Sequence, residues 1–251
     1  MAADGIGNPL SYAIEAVQKT RSASGSKTLF EEVKWAAKIL FYTWLDFTAG
    51  QFDFNGRKYR YFYHPYNNTW RNERCVEVPI AWEEVRGAYA AGKRVLEFGN
   101  VLSHYFSIKH DVLDKYEKAP GVKNEDVVDF KAAVLYDLIV SISTMEHVGY
   151  DETPKEEGKP LLAFDNLWKN LSPDGKMLFT FGMGYNTAMD RLALNGKPDF
   201  VQWSFLKRDR KNRWSQASLE EATGAKFNSP YPFANYLAIG IAQGRGSKGQ
   251  K

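Results

Sequence analysis

From Gly92 onward the chain is a series of short apolar runs, each ending in a polar or acidic residue. The runs read RVLEFG, HDVLD, DVVDF, YDLIVSIS and GKMLFTFG, and connecting segments separate them. Runs that are hydrophobic throughout are typical of parallel strands covered on both faces, whereas half-exposed strands alternate. We therefore predict an open α/β sheet that binds its ligand beyond the carboxyl ends of the strands.

The N-terminal region has a different pattern. In TLFEEVKWAAKILFYTWLDFTAG, apolar residues recur at helical spacing and predict a helix that ends near Gly50, after a shorter helix at SYAIEAVQKT. Asn55-Gly56 predicts a hairpin turn between aromatic segments, and CVEVPI predicts a short extended piece. We divide the chain into a helical and aromatic cap (1–90), a core (91–243) and a flexible basic tail (244–251).

Composition excludes several classes of protein. A chain of 251 residues with 44% hydrophobic residues fits one domain, or a domain with a small cap. The net charge is only +3, with basic residues concentrated in the tail, so we expect no nucleic-acid partner. The single cysteine, Cys75, excludes an intramolecular disulfide, and we expect it to be a packed residue rather than a reactive thiol. Without a signal-peptide pattern or an apolar run of about 20 residues, the sequence predicts a cytoplasmic protein with no membrane contact.

The segment from Tyr59 to Trp82 is rich in aromatic residues interleaved with amides and charges. This combination suits a lid that stacks on a ligand and hydrogen-bonds to it, with Tyr66, Asn67 and Trp70 as candidate contacts. The alternative is a cap layer whose aromatic side chains pack on the core.

Acidic residues end the first three predicted strands. Glu97 and Asp114 are 17 residues apart, close to the interval at which dinucleotide-binding sheets place a ribose-binding acid, and Asp129 ends the third run. Three acids at one edge of a sheet repel one another unless a ligand brings donors or positive charge. Taken singly, each also fits a helix cap or a surface acid.

The order VLEFG, VLDKYE, DVVDF, YDLIVSISTMEHVG and LSPDGKMLFTFGMG resembles the successive motifs of the class I S-adenosylmethionine-dependent methyltransferases, over about residues 93 to 185. The resemblance implies a Rossmann-like sheet, mostly parallel with an antiparallel last strand, and S-adenosyl-L-methionine as cofactor. Where the family has two or three glycines in the first loop, this chain has Gly99 and Asn100, followed by Val101 and Ser103.

Carried over by position, the resemblance implies a contact for each part of the cofactor. Glu97 lies near the methionine moiety, and Gly99 with Asn100 lets the backbone approach it. Asp114 accepts both ribose hydroxyls. The remaining implied contacts are to adenine and to the methionine or methyl group: Asp129, Phe130, Ser143 and Thr144.

Methyl transfer to a hydroxyl requires alignment and removal of a proton, and His147 is the candidate general base because it follows the fourth strand. His64 is an alternative base, and a structural imidazole is the alternative role for His147. Tyr185 and Asn186, just beyond the fifth strand, are candidate acceptor contacts. A divalent metal at Glu146 and His147 is possible if a further ligand joins them, but we predict none.

The favoured function is O-methylation of a small polar acceptor such as a sugar or other metabolite. A nucleic-acid or protein methyltransferase is the alternative, with the basic stretch 207–213 as its docking surface. A non-catalytic binding protein that keeps the fold is the second alternative. The sequence predicts no oligomeric state.

Overall fold

The structure is a computed structural model that describes residues 34, 37, 40, 41, 44, 48–244 and 246. The predicted helix at SYAIEAVQKT, most of the helix that follows it and most of the tail lie outside the described residues. Lys34, Ala37, Leu40, Phe41 and Trp44 are helical. Leu40 and Trp44, part of the predicted apolar face, are 71% and 60% exposed, so this face is not buried at these two positions. The predicted boundaries of cap, core and tail stay a prediction.

The hairpin predicted at Asn55-Gly56 is confirmed. Strands β1 (Gln51–Phe54) and β2 (Arg57–Arg60) pair antiparallel across these two residues. Asn55 and Gly56 have φ of 48° and 74°, the left-handed conformation that a two-residue hairpin turn requires. The inward-facing Phe52 and Phe54 are buried, so the hairpin packs on the rest of the molecule.

The prediction of an extended piece at CVEVPI is wrong, because these residues lie in helix α1 (Arg74–Ala90). Pro79 inside the helix has no N–H to give the Cys75 carbonyl four residues earlier, but the backbone N–H of Phe62 donates to that carbonyl at 3.0 Å. The β-branched residues that suggested a strand instead form the buried face of the helix against the sheet, since packing outweighs local propensity.

Within the described residues, eight further strands form one sheet in the order β5-β4-β3-β6-β7-β10-β8-β9. Their bounds are β3 (Val95–Phe98), β4 (Asp111–Leu113), β5 (Val122–Lys123), β6 (Tyr136–Ile142), β7 (Leu171–Gly182), β8 (Val201–Arg208), β9 (Trp214–Ala217) and β10 (Tyr236–Gln243). In this sheet, β5, β4, β3, β6 and β7 are parallel to one another. Strands β10, β8 and β9 pair antiparallel with their neighbours. When the five parallel strands are numbered in chain order, their order across the sheet is 3-2-1-4-5. This arrangement is that of doubly wound sheets and confirms the predicted fold class.

The third strand does not lie where the sequence predicted it. The strand is Val122–Lys123, whereas DVVDF forms a turn in which the Asp126 carbonyl accepts from the N–H groups of Asp129 and Phe130. The turn follows because β5 pairs with only two residues of β4 before the chain leaves the sheet. The direction of every side chain in this stretch therefore differs from that of a strand.

Helices cover the sheet on both faces. Helix α1 packs on one face, and α2 (Lys159–Lys169) and α3 (Thr187–Leu194) contribute to the apolar cluster on the other. A fourth helix, α4 (Leu219–Ala222), begins at a capping box formed by Ser218 and Glu221. Between β3 and β4 there is only a short 3-10 turn, Leu102–His104, so the carboxyl ends of these strands stay open. No helix among the described residues is long and apolar enough to cross a membrane.

Candidate active site

A cavity of about 660 Å³ lies at the carboxyl ends of the parallel strands β3, β4 and β6. Its position is the one expected for a ligand site in an open α/β sheet. Side chains from several strand ends converge on it. Among them are five residues that the sequence predicted for the site: Asn100, Asp114, Ser143, Thr144 and His147.

Asp114 is held in a fixed orientation at the end of β4. Its Oδ1 accepts from the backbone N–H groups of Tyr116 and Glu117, each at 2.8 Å. Its Oδ2 accepts one long hydrogen bond of 3.4 Å from the N–H of Asn100. A carboxylate oxygen has two lone pairs, so Oδ2 keeps capacity for a ligand hydroxyl.

Position 99 must be glycine because the Thr144 side chain occupies the space that a Cβ would fill. The φ of Gly99 is +86°, and a Cβ added there would lie 2.0 Å from Oγ1 of Thr144, which lines the cavity. Asn100 follows and is nearly buried, with its Nδ2 donating to Glu117 at 2.6 Å. Gly99 thus lets β3 and the end of β6 approach each other, and any larger residue would displace Thr144.

Glu97 does not line the cavity, in contrast to the predicted contact with the methionine moiety. Its carboxylate is fully buried, and Oε1 accepts from the N–H groups of Val101 and Leu102 at 2.8 and 2.7 Å. Oε2 is 2.9 Å from Nε2 of the buried His110. The carboxylate therefore fixes the first loop, which has few glycines, by binding its backbone directly.

Asp129 and Phe130 do not reach the cavity either. Asp129 is exposed and Phe130 lies in the core, because the turn at 126–129 replaces the predicted strand. Asp126 and Val127 line the cavity instead. Asp126 and Asp129 lie in the same short stretch, and the backbone turn determines which of them lines the cavity.

Asp126 and Glu152 form a closed ionic network with two lysines. Lys115 contacts them at 2.8 and 3.2 Å, and Lys159 at 2.7 and 2.5 Å, respectively. Although burial opposes its ionisation, hydrogen bonds from Lys115 and Lys159 lower the pKa of Asp126 to about 2. Each carboxylate on this wall has a counter-ion within the protein.

His147 and Asp151 also line the cavity, and the predicted acceptor contact Tyr185, which is not among the lining residues, touches both of them. The Nδ1 of His147 is 2.5 Å from Oδ2 of Asp151, which also accepts from the Tyr185 hydroxyl at 2.9 Å. The His147 and Tyr185 rings meet edge to face, with their centroids 5.1 Å apart. Burial and the hydrogen bond to Asp151 raise the pKa of Tyr185 to about 12, so this hydroxyl stays protonated. The imidazole is half exposed, and Nε2 is the nitrogen left for a ligand. The four-residue spacing of His147 and Asp151 is a signal that the sequence offered and our prediction missed.

The candidate acceptor residues of the aromatic segment lie outside this cavity. Tyr66 stacks on His104 with ring centroids 4.6 Å apart, and Trp70 is 37% exposed. Asn67 has a left-handed φ of 58°, and its side chain hydrogen-bonds to Tyr105. Whether these three residues contact an acceptor stays a prediction.

Asn186 is a structural residue in this fold. It is buried and caps α3, because its Oδ1 accepts from the N–H of Ala188 at 2.9 Å. Its Nδ2 donates to the Glu146 carbonyl at 2.8 Å, so both ends of the amide are occupied. A contact between this side chain and an acceptor stays a prediction.

Beside the cavity is a set of polar and charged side chains that we did not predict to lie together. We call Glu73, Arg74, Glu77, Ser143 and Glu146 the buried polar cluster. Glu77 is fully buried and accepts from Arg74 Nη1 at 2.8 Å and from Ser143 Oγ at 2.7 Å. The cluster escaped prediction because its first three residues were assigned to the cap and not to a helix beside the sheet.

Glu146 is the least satisfied member of the cluster. Its side chain is 4% exposed, and Oε2 has no hydrogen-bond partner among the described residues. Burial, followed by repulsion from Glu77, raises the pKa of Glu146 to about 8. Its neighbour His147 faces the cavity, so the two side chains point to different environments.

In the described part of the chain, no group of three or more His, Cys, Asp and Glu side chains is arranged to hold a metal ion. Cys75 is buried, and burial raises the pKa of its thiol. Asn212 Nδ2 donates to its Sγ at 3.4 Å, which fits a packed residue.

No protein-family model and no curated protein matches the chain. Solved structures similar to it include the N-methyltransferase NodS from Bradyrhizobium japonicum WM9 in complex with S-adenosyl-L-homocysteine. NodS is 14% identical, with 69% of this chain and 93% of that chain covered at a TM-score of 0.38. An S-adenosylmethionine-dependent methyltransferase from Clostridium acetobutylicum ATCC 824 is 12% identical, with coverages of 64% and 89% and a TM-score of 0.33. A putative methyltransferase from Thermoplasma acidophilum is 12% identical, with coverages of 62% and 69% and a TM-score of 0.32.

At these identities and TM-scores the similar structures assign no activity to this chain. Its own strand order and the position of the cavity agree with the fold that the motifs implied. The chain therefore has the Rossmann-like fold of the class I methyltransferases.

Proposed function

We propose that this protein is an S-adenosyl-L-methionine-dependent methyltransferase that methylates an oxygen of a small polar acceptor, such as a sugar or other metabolite. The observation that carries the proposal is one cavity with Asp114 on one wall and the His147–Asp151 pair on another. When bound, the cofactor supplies a methyl group activated by its attachment to a sulfonium.

The residues present fit that cofactor. Asp114 has an oriented carboxylate whose Oδ2 has open acceptor capacity for one ribose hydroxyl, because Oδ1 already accepts from two backbone N–H groups. Asp126 and Val127 take the place that the sequence analysis gave to Asp129 and Phe130. Ser143 and Thr144 lie at the end of β6, where the methionine end is expected.

His147 is suited to take the proton of an acceptor hydroxyl through Nε2. Asp151 holds Nδ1, fixes the orientation of the ring and stabilises the imidazolium that forms. His64, the alternative base, is not among the residues that line the cavity, and its Nδ1 accepts from the N–H of Tyr66.

The basic stretch 207–213 is partly engaged within the protein, which favours a small acceptor over nucleic acid. Lys207 pairs with Glu221. Arg208 donates to the Arg71 carbonyl at 2.9 Å and to the Pro232 carbonyl.

The test is calorimetric binding of S-adenosyl-L-methionine and of its demethylated product. We expect Asp114→Ala to weaken binding by about 1.5–3 kcal/mol, the range for a hydrogen bond to a charged group, without unfolding the chain. Asp129→Ala is the matched control and leaves affinity unchanged, because Asp129 is exposed outside the cavity. Absence of binding to the wild-type chain, or an unaltered affinity in Asp114→Ala, contradicts the proposal.

A further inference from the structure

The wall of the cavity carries an excess of negative charge. Five carboxylates line it together with one lysine, Lys115. The carboxylates are those of Asp114, Glu117, Asp126, Asp151 and Glu152. Even when Lys159 and a protonated imidazole at His147 are counted, the carboxylates outnumber the cations. The cavity therefore attracts a positive charge on a ligand and repels a negative one.

The excess charge lies on the carboxylates that no lysine or arginine contacts within the described residues. Asp114 is held by backbone N–H groups at both of its oxygens. Glu117 is 3.4 Å from Nε2 of His104, and Asp151 is 2.5 Å from Nδ1 of His147, so the basic group that contacts each of them is an imidazole. These three carboxylates remain to balance a charge that a ligand brings.

The two hydroxyl groups at the end of β6 add acceptors to this wall. Each hydroxyl has one proton to give. Ser143 Oγ donates its proton to Glu77 at 2.7 Å, and Thr144 Oγ1 donates its proton to the Ile142 carbonyl at 3.1 Å. Both residues line the cavity, and their hydroxyl oxygens can only accept a further hydrogen bond. A ligand that hydrogen-bonds to these oxygens must bring a donor.

The loop after β3 has its backbone donors engaged within the protein. The N–H groups of residues 99–102 donate to a carbonyl at the end of β4 and to the carboxylates of Glu97 and Asp114. In sheets that bind dinucleotides, the N–H groups of this loop and of the helix that follows receive the pyrophosphate. Here a 3-10 turn of three residues, Leu102–His104, follows instead of a helix. The loop is therefore unsuited to a phosphate.

We propose that the cavity selects its nucleoside by charge, preferring an adenosyl compound with an added positive charge on its tail and rejecting one that carries phosphate. For the proposed cofactor, S-adenosyl-L-methionine then binds more tightly than S-adenosyl-L-homocysteine, which lacks the sulfonium charge. This inference rests on the proposed function and adds to it a preference for the methyl donor over its product.

The test is calorimetric binding of four adenine nucleosides to the full chain. S-Adenosyl-L-methionine has a sulfonium, and sinefungin has a carbon with an ammonium in its place. S-Adenosyl-L-homocysteine lacks this charge, and adenosine diphosphate carries phosphates. At about 0.05 M salt we expect both cationic ligands to bind about tenfold more tightly than S-adenosyl-L-homocysteine, and adenosine diphosphate to bind at least about tenfold more weakly than it.

Salt separates selection by charge from selection by shape. Raising the salt concentration to about 0.5 M shortens the screening length to a few ångströms. We expect the preference for the cationic ligands to fall to about threefold or less, while the affinity for S-adenosyl-L-homocysteine changes little. A preference that is the same at both salt concentrations contradicts selection by charge.

Two variants each remove one negative charge from the wall and keep the shape of the side chain. Glu117→Gln and Asp151→Asn are each expected to reduce the preference for S-adenosyl-L-methionine over S-adenosyl-L-homocysteine by about twofold to threefold. Glu220→Gln is the matched control, because it makes the same change at an exposed residue of α4 outside the cavity, and it leaves the preference unchanged. If one cavity variant fails to fold, the other variant and the salt series decide.

The inference is overturned if S-adenosyl-L-homocysteine binds as tightly as either cationic ligand, if adenosine diphosphate binds as tightly as S-adenosyl-L-homocysteine, or if neither cavity variant reduces the preference. These outcomes differ from failure of the proposed function. Absence of binding by both S-adenosyl compounds contradicts the function itself, whereas equal binding of methyl donor and product removes only the selection by charge.

Discussion

The carboxylates on the cavity wall and those of the buried polar cluster have opposite surroundings. Asp126 is bound by two lysines, which lower its pKa to about 2. Glu146 is buried with an unpaired oxygen, and its pKa rises to about 8. Asp126 and Glu152 have their counter-ions within the protein, whereas Glu146 needs a proton or a partner. Two neighbouring regions of the molecule therefore differ in the charge balance of their carboxylates.

The largest expected effect tests whether His147, rather than its neighbour Glu146, is the general base. His147→Ala removes the base on the cavity side and is expected to lower turnover by about 10²–10⁴-fold. Cofactor affinity stays nearly unchanged, because the Asp114 side of the cavity is intact. Turnover is measured as S-adenosyl-L-homocysteine released with a sugar as acceptor. An unaffected rate removes His147 from the base role.

The second largest effect comes from the charge balance of the buried polar cluster. Arg74→Ala leaves Glu77 and Glu146 without their cation and is expected to cost about 3–5 kcal/mol of the free energy of unfolding. The control is Arg57→Ala, which breaks an exposed pair with Glu83 and is expected to cost about 0–1 kcal/mol. Urea denaturation measures both. Equal losses in the two variants show that the cluster is not electrostatically special.

A smaller effect is the pH dependence of stability in the cluster. The folded pKa of Glu146 is raised from 4.5 to about 8, so the native state binds the proton more tightly than the unfolded state. Its stabilisation is complete below about pH 4.5 and is lost as pH rises through 8. Glu146→Gln abolishes this loss, and from pH 5 to 8 it gains at least about 1 kcal/mol relative to the wild type. A constant difference across this range contradicts the shifted pKa.

The smallest effect has the opposite sign and comes from the cavity wall. The folded pKa of Asp126 is lowered from 3.8 to about 2, so its stabilisation is present above pH 4 and is lost as pH falls through 2. The side chain is partly exposed, so Asp126→Asn is expected to remove only about 1 kcal/mol at neutral pH. Thermal unfolding in acid measures it, and parallel curves for variant and wild type refute the pairing.

Local pattern was enough to place five residues of the site. The apolar runs identified four of the five parallel strands, and Asp114, Ser143, Thr144 and His147 follow strand ends where a ligand is expected. Asn100 was predicted for the site from its position in the turn after β3. These residues line the cavity because a buried parallel strand needs a continuous apolar run, and the residue that ends the run lies at the edge of the sheet; their contacts with a cofactor or acceptor stay predictions.

Contacts distant in sequence decided the rest. Helix α1 depends on the N–H of Phe62 reaching the Cys75 carbonyl that Pro79 leaves free, and no local signal contains that pairing. The choice of Asp126 over Asp129 depended on a backbone turn. The opposite directions of Glu146 and His147 depended on what packs around each. The sequence by itself determined the buried parallel strands β3, β4, β6 and β7 and their polar ends, because burial leaves a pattern along the chain. Only the tertiary structure decided which charges are paired, because counter-ions come from segments that are far apart in sequence.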